Sequence, residues 1–502
     1  MKPNFLVFVV DQMQAQALSL HGHPDVKTPH LDQLGVEGVS LARAYCSNPV
    51  CMPSRATLLT GLTPRQHGCL TNGNALPEHI PTLPAILSKH GYRTHAIGKL
   101  HHQPIGSVNR GEELGFSWED RKRWESGEIQ RLPEGYYGYQ TSELVGGHVD
   151  VYGEYTSWLE QRLPASSRKL TREGAYQHDP SVPMSWRIDL PEEWHYNRWI
   201  ARRTTSFLEQ LKQDEAFYLW CSFPDPHHPF AACRPYSEMY DPNKLALPEN
   251  WQNESDSIAW LNSMRQVHPG HCDFDEQALR EILAQTYGMI THVDSCIGEI
   301  IGKLKELELY DKTVIVFLAD HGEYLGSHHL ITKGEWPWEE LLRVPYIWKS
   351  PKSQSQGMND AQVVSLYDFV PTILDFAGID PVVMDTRGVY AARPLGLPGR
   401  SLRSLIESGE LLPMKPAIVE YDEDWFAPDV CRMRSLITEQ YKLTVYMNTN
   451  EGMLFDLQQD PKEQANLWAD PAYVTIRQEL TEQLLMELIR TDRFDTRRIT
   501  GA

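Results

Sequence analysis

Asn48-Pro49-Val50-Cys51-Met52-Pro53-Ser54-Arg55-Ala56-Thr57-Leu58-Leu59-Thr60-Gly61 sets a cysteine two residues ahead of a proline, continues with Ser-Arg and a helix-forming run, and closes on glycine. Proline is at home in the first turn of a helix and glycine just past its end, so the stretch predicts a short helix with Cys51 at its mouth. Unpaired backbone N–H groups and the helix dipole favour negative charge there, which suits a bound tetrahedral oxyanion. The same field is expected to acidify the Cys51 thiol.

Working outward, residues 4–10 are apolar on both faces and predict a buried parallel strand, with Asp11-Gln12 at its carboxyl end, where open α/β sheets bind ligands. Thr28-Pro29 opens a helix through Leu34, and Val39 to Tyr45 predicts a strand that delivers the chain to Cys51. A helix from Pro81 to His90 leads to a strand, Tyr92 to Ile97, and then to Gly98-Lys99-Leu100-His101-His102. Lys99 and His101 are two apart on an extended segment and so address one side. Periodicity fades over 103–191, which predicts a loop-rich insertion above the sheet and near the pocket.

A helix from Glu192 to Lys212 and a strand from Phe217 to Phe223 precede Pro224-Asp225-Pro226-His227-His228-Pro229, a stiff backbone around a histidine pair. A long helical region, Asp275 to Leu307, is expected to break near Gly288. The buried strand Thr313 to Leu318 ends in Ala319-Asp320-His321-Gly322-Glu323, a second acidic strand end placed like Asp11-Gln12 on the same sheet; together they favour a hard, oxygen-loving cation. Lys333 follows, then a helix from Leu366 to Ala377 and a Pro/Gly-rich linker, Gly388 to Gly399. Beyond it four short segments predict an antiparallel sheet, and Tyr473 to Ile489 a closing helix. The expected division is 1–388, 400–489 and a mixed-charge tail, 490–502, that reads as an intersubunit arm of a homo-oligomer.

The chain of 502 residues is 41% hydrophobic and 23% charged, enough for a large core. A formal net charge of −20 argues against nucleic-acid binding. An anionic substrate would therefore need a local cationic pocket. Eight cysteines without repeating spacing form no disulfide framework, and the sequon Asn253-Glu254-Ser255 reads as chance. No membrane-spanning run and no secretory signal is seen, so the expected location is cytoplasmic.

The longer pattern Cys51-x-Pro53-Ser54-Arg55, with Thr60-Gly61 and later Gly68, resembles the signature of the type I, formylglycine-dependent sulfatases of the alkaline phosphatase superfamily. The resemblance runs from the first strand to Leu454-Phe455-Asp456-Leu457 and Asn466-Leu467. It implies an α/β fold, an alkaline-phosphatase-like mixed sheet flanked by helices, with a smaller C-terminal α+β subdomain carrying an antiparallel sheet. It implies that Cys51 is oxidised to formylglycine by a maturation enzyme. Asp11, Gln12, Cys51, Asp320 and His321 then match the metal ligands, usually for calcium, and Arg55, Lys99, His101, His227 and Lys333 match residues that bind the sulfate or move protons.

The implied activity is hydrolysis of a small sugar, aryl or alkyl sulfate: the hydrated aldehyde attacks sulfur, His227 and Lys333 serve the leaving oxygen, and His101 takes the proton that expels sulfate. Gln12 replaces the more usual second Asp and His321 the more usual Asn, which weakens calcium preference and leaves manganese or zinc open. Gln12 resembles the phosphonate monoester and phosphodiester hydrolases of the superfamily, whereas Lys99-x-His101 resembles the sulfatase version. A phosphonate or phosphodiester hydrolase, and a non-catalytic metal-binding homologue with unconverted Cys51, stand as alternatives.

Overall fold

The computed structural model describes residues 2–106, 115–148, 150–253, 258–267, 271–354, 357–380, 397–423, 431–447 and 449–492. Most of the expected linker, most of the expected tail and part of the sequon lie outside these residues.

The first eight strands in chain order are β1 Asn4–Val10, β2 Val39–Leu41, β3 Ala44–Tyr45, β4 Arg93–Gly98, β5 Thr141–Gly146, β6 Tyr152–Gly153, β7 Phe217–Phe223 and β8 Thr313–Ala319. They are followed by β9 Arg343–Val344, β10 Tyr346–Lys349, β11 Gly357–Asn359 and β12 Val364–Ser365, and then by β13 Ala417–Glu423, β14 Cys431–Ile437, β15 Tyr441–Tyr446 and β16 Gly452–Asp456. Nine strands form one sheet in the order β11-β2-β10-β8-β1-β7-β4-β5-β6. Its centre is parallel, β8, β1, β7 and β4, while β10 runs antiparallel against β8. β1, β7 and β8 are buried along their whole length, as expected for strands covered by helices on both faces. This is the mixed α/β sheet expected of the chain, with the antiparallel sheet β13-β14-β15-β16 following it.

Val10 pairs with Ala319 and Phe223, so the carboxyl ends of β8, β1 and β7 finish at one level and deliver Asp320, Asp11 and the turn after Phe223 side by side. On the C-terminal sheet Leu436, Leu443 and Leu454 pack against Leu480 and Leu484 of the closing helix Val474–Arg490, while Val419, Met433 and Phe455 join the main core.

Three sequence expectations change. Val39 to Tyr45 is not one strand: it switches sheets at Ala42-Arg43, β2 staying in the large sheet and β3 pairing with β9 and β12. The long helix Glu276–Glu306 is continuous through Gly288. A Cβ there would stand 2.6 Å from Tyr236 O, so the glycine marks close packing rather than a break. The helix expected from Glu192 begins later, as Tyr196–Glu209, because His195 caps it by accepting from the Asn197 amide. The segment 103–191 does more than cover the sheet, since it supplies the edge strands β5 and β6.

Candidate active site

Asp11 and Asp320 leave adjacent parallel strands fully buried, which is costly for carboxylates without cations. Arg55 is the first remedy. Its Nε donates to Asp320 Oδ2 at 2.7 Å and one Nη2–H to Asp11 Oδ2 at 3.4 Å. Nη1 donates to Lys99 O and to Ser222 Oγ, both at 3.0 Å. Four of its five donors are thus held by protein, which ties the helix Cys51–Thr60 to β4, β7 and both acidic strand ends. Lys99 is the second remedy, donating to Asp11 Oδ2. Burial raises the Asp11 carboxyl, but Lys99, then Arg55 and Lys333, more than reverse this and hold it well below the usual range.

Cys51 starts its helix as predicted, and Gly61 closes it. Its Sγ lies 3.5 Å from Asp11 Oδ1, 3.3 Å from His321 Nε2 and 3.1 Å from Lys333 Nζ. The expected acidification does not occur. Burial and the Asp11 charge push the thiol up, outweighing Lys333 and Lys99.

Asp11, Cys51, Asp320 and His321 each offer a ligand atom within 4.8 Å of the others. His321 Nδ1 donates to Gly322 O at 2.9 Å, which fixes the tautomer and turns the Nε2 lone pair toward Cys51 and Asp11. Gln12, in a left-handed conformation at φ 61, donates from Nε2 to Glu323 and lies 2.9 Å from His228 Nδ1. Its Oε1 is buried without a hydrogen-bond partner. Two carboxylates, an orphaned amide oxygen and an imidazole lone pair fit a divalent cation of hard to borderline character.

The remaining predicted residues gather beside this cluster. His101, at φ 59, is held by its amide on Glu119, while its Nδ1 is buried without a partner. Burial, then Lys99 and Arg55, keep its imidazole neutral, well below its ordinary range. Lys333 Nζ reaches His227 Nε2 at 2.8 Å and His321 Nε2 at 3.3 Å. Burial pulls the Lys333 ammonium down, but Cys51 and Asp11 more than compensate and hold it above its ordinary value.

Sequence reasoning missed His148. It follows β5, stacks on the His227 ring at 3.4 Å between centroids and places Nε2 2.7 Å from Lys99 Nζ. The only signal was its place after a strand, Thr141–Gly146, that sequence periodicity did not reveal. Glu323 and His228 stood in quoted motifs, but their joint grip on Gln12 is visible only in three dimensions.

A mixed sheet whose central strand ends carry buried carboxylates, faced by a cysteine-headed helix and three cations, defines an alkaline-phosphatase-like hydrolase. The sulfatase family model matches residues 3–379 and the model for the C-terminal region of N-sulphoglucosamine sulphohydrolase matches 326–490. The chain belongs to the sulfatase family and is a sulfatase. An arylsulfatase of Clostridium perfringens is 27% identical, with 97% of this chain and 95% of that protein covered. The fold is shared with a phosphonate monoester hydrolase of Agrobacterium radiobacter, TM-score 0.78 at 24% identity over 98% of this chain and 96% of that one. It is also shared with a protein solved with its substrate D-glucosamine-2-N,6-O-disulfate, TM-score 0.73 at 20% identity over 98% of both chains.

Proposed function

We propose that the enzyme hydrolyses a sulfate monoester of a sugar or aryl alcohol to the alcohol and inorganic sulfate, using formylglycine made from Cys51. The observation that carries this reading is the position of residue 51: Sγ stands 3.3 Å from the His321 ligand nitrogen and 3.1 Å from the Lys333 ammonium, between the cation cluster and the catalytic cations. Asp11, Gln12, Asp320 and His321 would hold one divalent cation, calcium or else manganese or zinc, which would supply charge neutralisation beside the reacting oxygens. Formylglycine supplies an aldehyde whose hydrate offers one hydroxyl as nucleophile and a second that lets the ester be released.

The chain's own groups do the rest. Asp320, held by Arg55 through Oδ2, accepts the proton of the attacking hydroxyl. Lys99 and Lys333 flank residue 51 and neutralise the sulfate oxygens, a local positive pocket in an acidic protein. Lys333 Nζ passes a proton to the departing alcohol oxygen, and His227, kept neutral by burial with Nδ1 donating to His228 O, orients that ammonium through Nε2. His101, neutral and with a free Nδ1, takes the proton of the second hydroxyl as sulfate leaves. The same reading assigns 1–388 to the catalytic unit and 400–489 to a C-terminal subdomain.

Gln12 favours a second reading, a phosphonate or phosphate diester hydrolase working through the same aldehyde. One comparison decides. Protein matured by a formylglycine-generating system, verified by a Cys51–Arg55 peptide that has exchanged sulfur for oxygen and lost two hydrogens, is loaded with metal and given an aryl sulfate and an aryl phosphonate. A kcat/KM at least about tenfold higher for the sulfate is expected, a margin of roughly 1.4 kcal/mol in transition-state binding. The reverse preference establishes the second reading, and no turnover of either by the converted protein overturns both.

A further inference from the structure

Away from the catalytic cluster, and sharing no residue with it, a second group of metal-ligating side chains is sealed in the core. His195 caps the helix Tyr196–Glu209, Cys233 follows the turn after β7, and His292 lies in the middle of the helix Glu276–Glu306. Their accessibilities are 0%, 0% and 1%, and one ligand atom of each lies within 4.8 Å of the others. Cys233 Sγ is 3.7 Å from His292 Nδ1. Zinc–sulfur and zinc–nitrogen bonds of about 2.3 and 2.0 Å at a tetrahedral angle give an edge of about 3.5 Å, so this pair is close to spanning one side of a zinc tetrahedron.

The existing bonds inside the group are weak ones. His195 Nδ1 accepts from the Asn197 amide at 3.3 Å and His292 Nδ1 from Asn197 Nδ2 at 3.4 Å, so both lone pairs turn toward Asn197. The Nε2 atoms of both rings and Asn197 Oδ1 are buried without partners. Asp225 adjoins the group, accepting from Asn197 Nδ2 at 2.7 Å and from the Tyr196 hydroxyl. With the Cys233 thiolate it would balance a double positive charge.

We infer that His195, Cys233 and His292 form a second, structural metal centre for zinc. Binding replaces the thiol proton of Cys233 with the metal and releases that proton to solvent. Two imidazoles and one thiolate are a donor set of borderline softness, which selects zinc over calcium or magnesium. Burial, aided by Arg198 beside His195 and by His195 beside His292, keeps both rings neutral and so able to ligate. The centre would pin two helices to the segment just beyond the turn Pro224–Pro229, which carries His227 and His228 into the catalytic site.

The test uses full-length Cys51→Ala protein, in which the catalytic cluster has no thiol, loaded with cobalt(II) and separately with zinc. A near-ultraviolet thiolate-to-cobalt absorption is expected, and Cys233→Ser in the same background should abolish it and lower bound zinc by one equivalent. Absence of that absorption, or zinc content and absorption unchanged by Cys233→Ser, overturns the centre. Should the double variant fail to fold, zinc-edge X-ray absorption on the Cys51→Ala protein decides: one sulfur ligand supports the centre, and an oxygen- and nitrogen-only shell overturns it.

Discussion

Gln12 shows how a neutral amide takes a carboxylate's place among metal ligands. An amide offers one acceptor and one donor end, and only a grip on the donor end makes the oxygen dependable. Glu323, which burial raises to about 7, and His228 supply that grip, leaving Oε1 buried without a hydrogen-bond partner. Glu323→Gln should therefore weaken metal affinity about 10–100-fold, the usual cost of losing a group that orients a ligand. Adding Gln12→Asp should recover part of the loss, because a carboxylate accepts from either oxygen. Metal content after dialysis checks both, and unchanged retention in Glu323→Gln would show that the grip is irrelevant. His148 is a similar case, with Nε2 on Lys99 and its ring on His227. His148→Ala should cut kcat/KM about 10–100-fold while metal content holds. Asp11, Lys99 and Asp320 were legible in the sequence because each terminates a readable strand. His148 was not, because its strand carries no clean alternation and its partners lie far away in the chain.

The strand ends are aligned by backbone, and Gly98 is where the fit is closest. At φ +98 it lies so near β7 that a Cβ would fall 1.8 Å from Ser222 O. The next amide, Lys99 N, donates to that same carbonyl at 3.0 Å, and Lys99 O accepts from Arg55. Gly98→Ala should cost about 1–3 kcal/mol, seen as a lower Tm, and should reduce kcat because Lys99 is displaced. A normal Tm with normal kcat would mean that this contact relaxes freely. Most elements were legible at this scale, since buried runs such as Asn4–Val10 and Thr313–Ala319 and the proline-to-glycine span of the Cys51 helix carry their own boundaries. The misreadings share a cause: tertiary packing decided them. Gly288 reads as a breaker until Tyr236 is placed against it, and the sheet switch at Ala42-Arg43 depends on β9 and β12, some 300 residues onward. The Cys51 thiol follows the same logic, pushed up by burial and by Asp11 despite its place at the start of a helix.

Across the whole molecule, a net charge of −20 must coexist with a cationic pocket, and the chain manages this by burying acids as well as bases. Asp11 is held low by Lys99 and Arg55, so its stabilising contribution is present above its unfolded pKa and is lost only in strong acid. Other buried carboxyls lack such partners. Burial raises Glu335 to about 7, with the Glu423 charge adding to it, and raises Glu154 to about 7 with Glu143 adding. A raised carboxyl binds its proton more tightly folded than unfolded, so the folded state holds the extra proton between its ordinary value of about 4.5 and about 7. Stability therefore falls as pH rises through that window and is level above it. For Glu335 the ceiling is about 3.4 kcal/mol, at about 1.4 kcal/mol for each pH unit of that window. Glu335→Gln replaces the acid with a neutral isostere, so relative to the parent it should be more stabilising at about pH 8 than at about pH 5.5. Thermal unfolding of both proteins at each pH, at one ionic strength and one metal load, measures this difference of differences and cancels the pH dependence of metal binding. If the gap between the two proteins is the same at both pH values, Glu335 is not held protonated and the buried acids do not set the pH response of the fold.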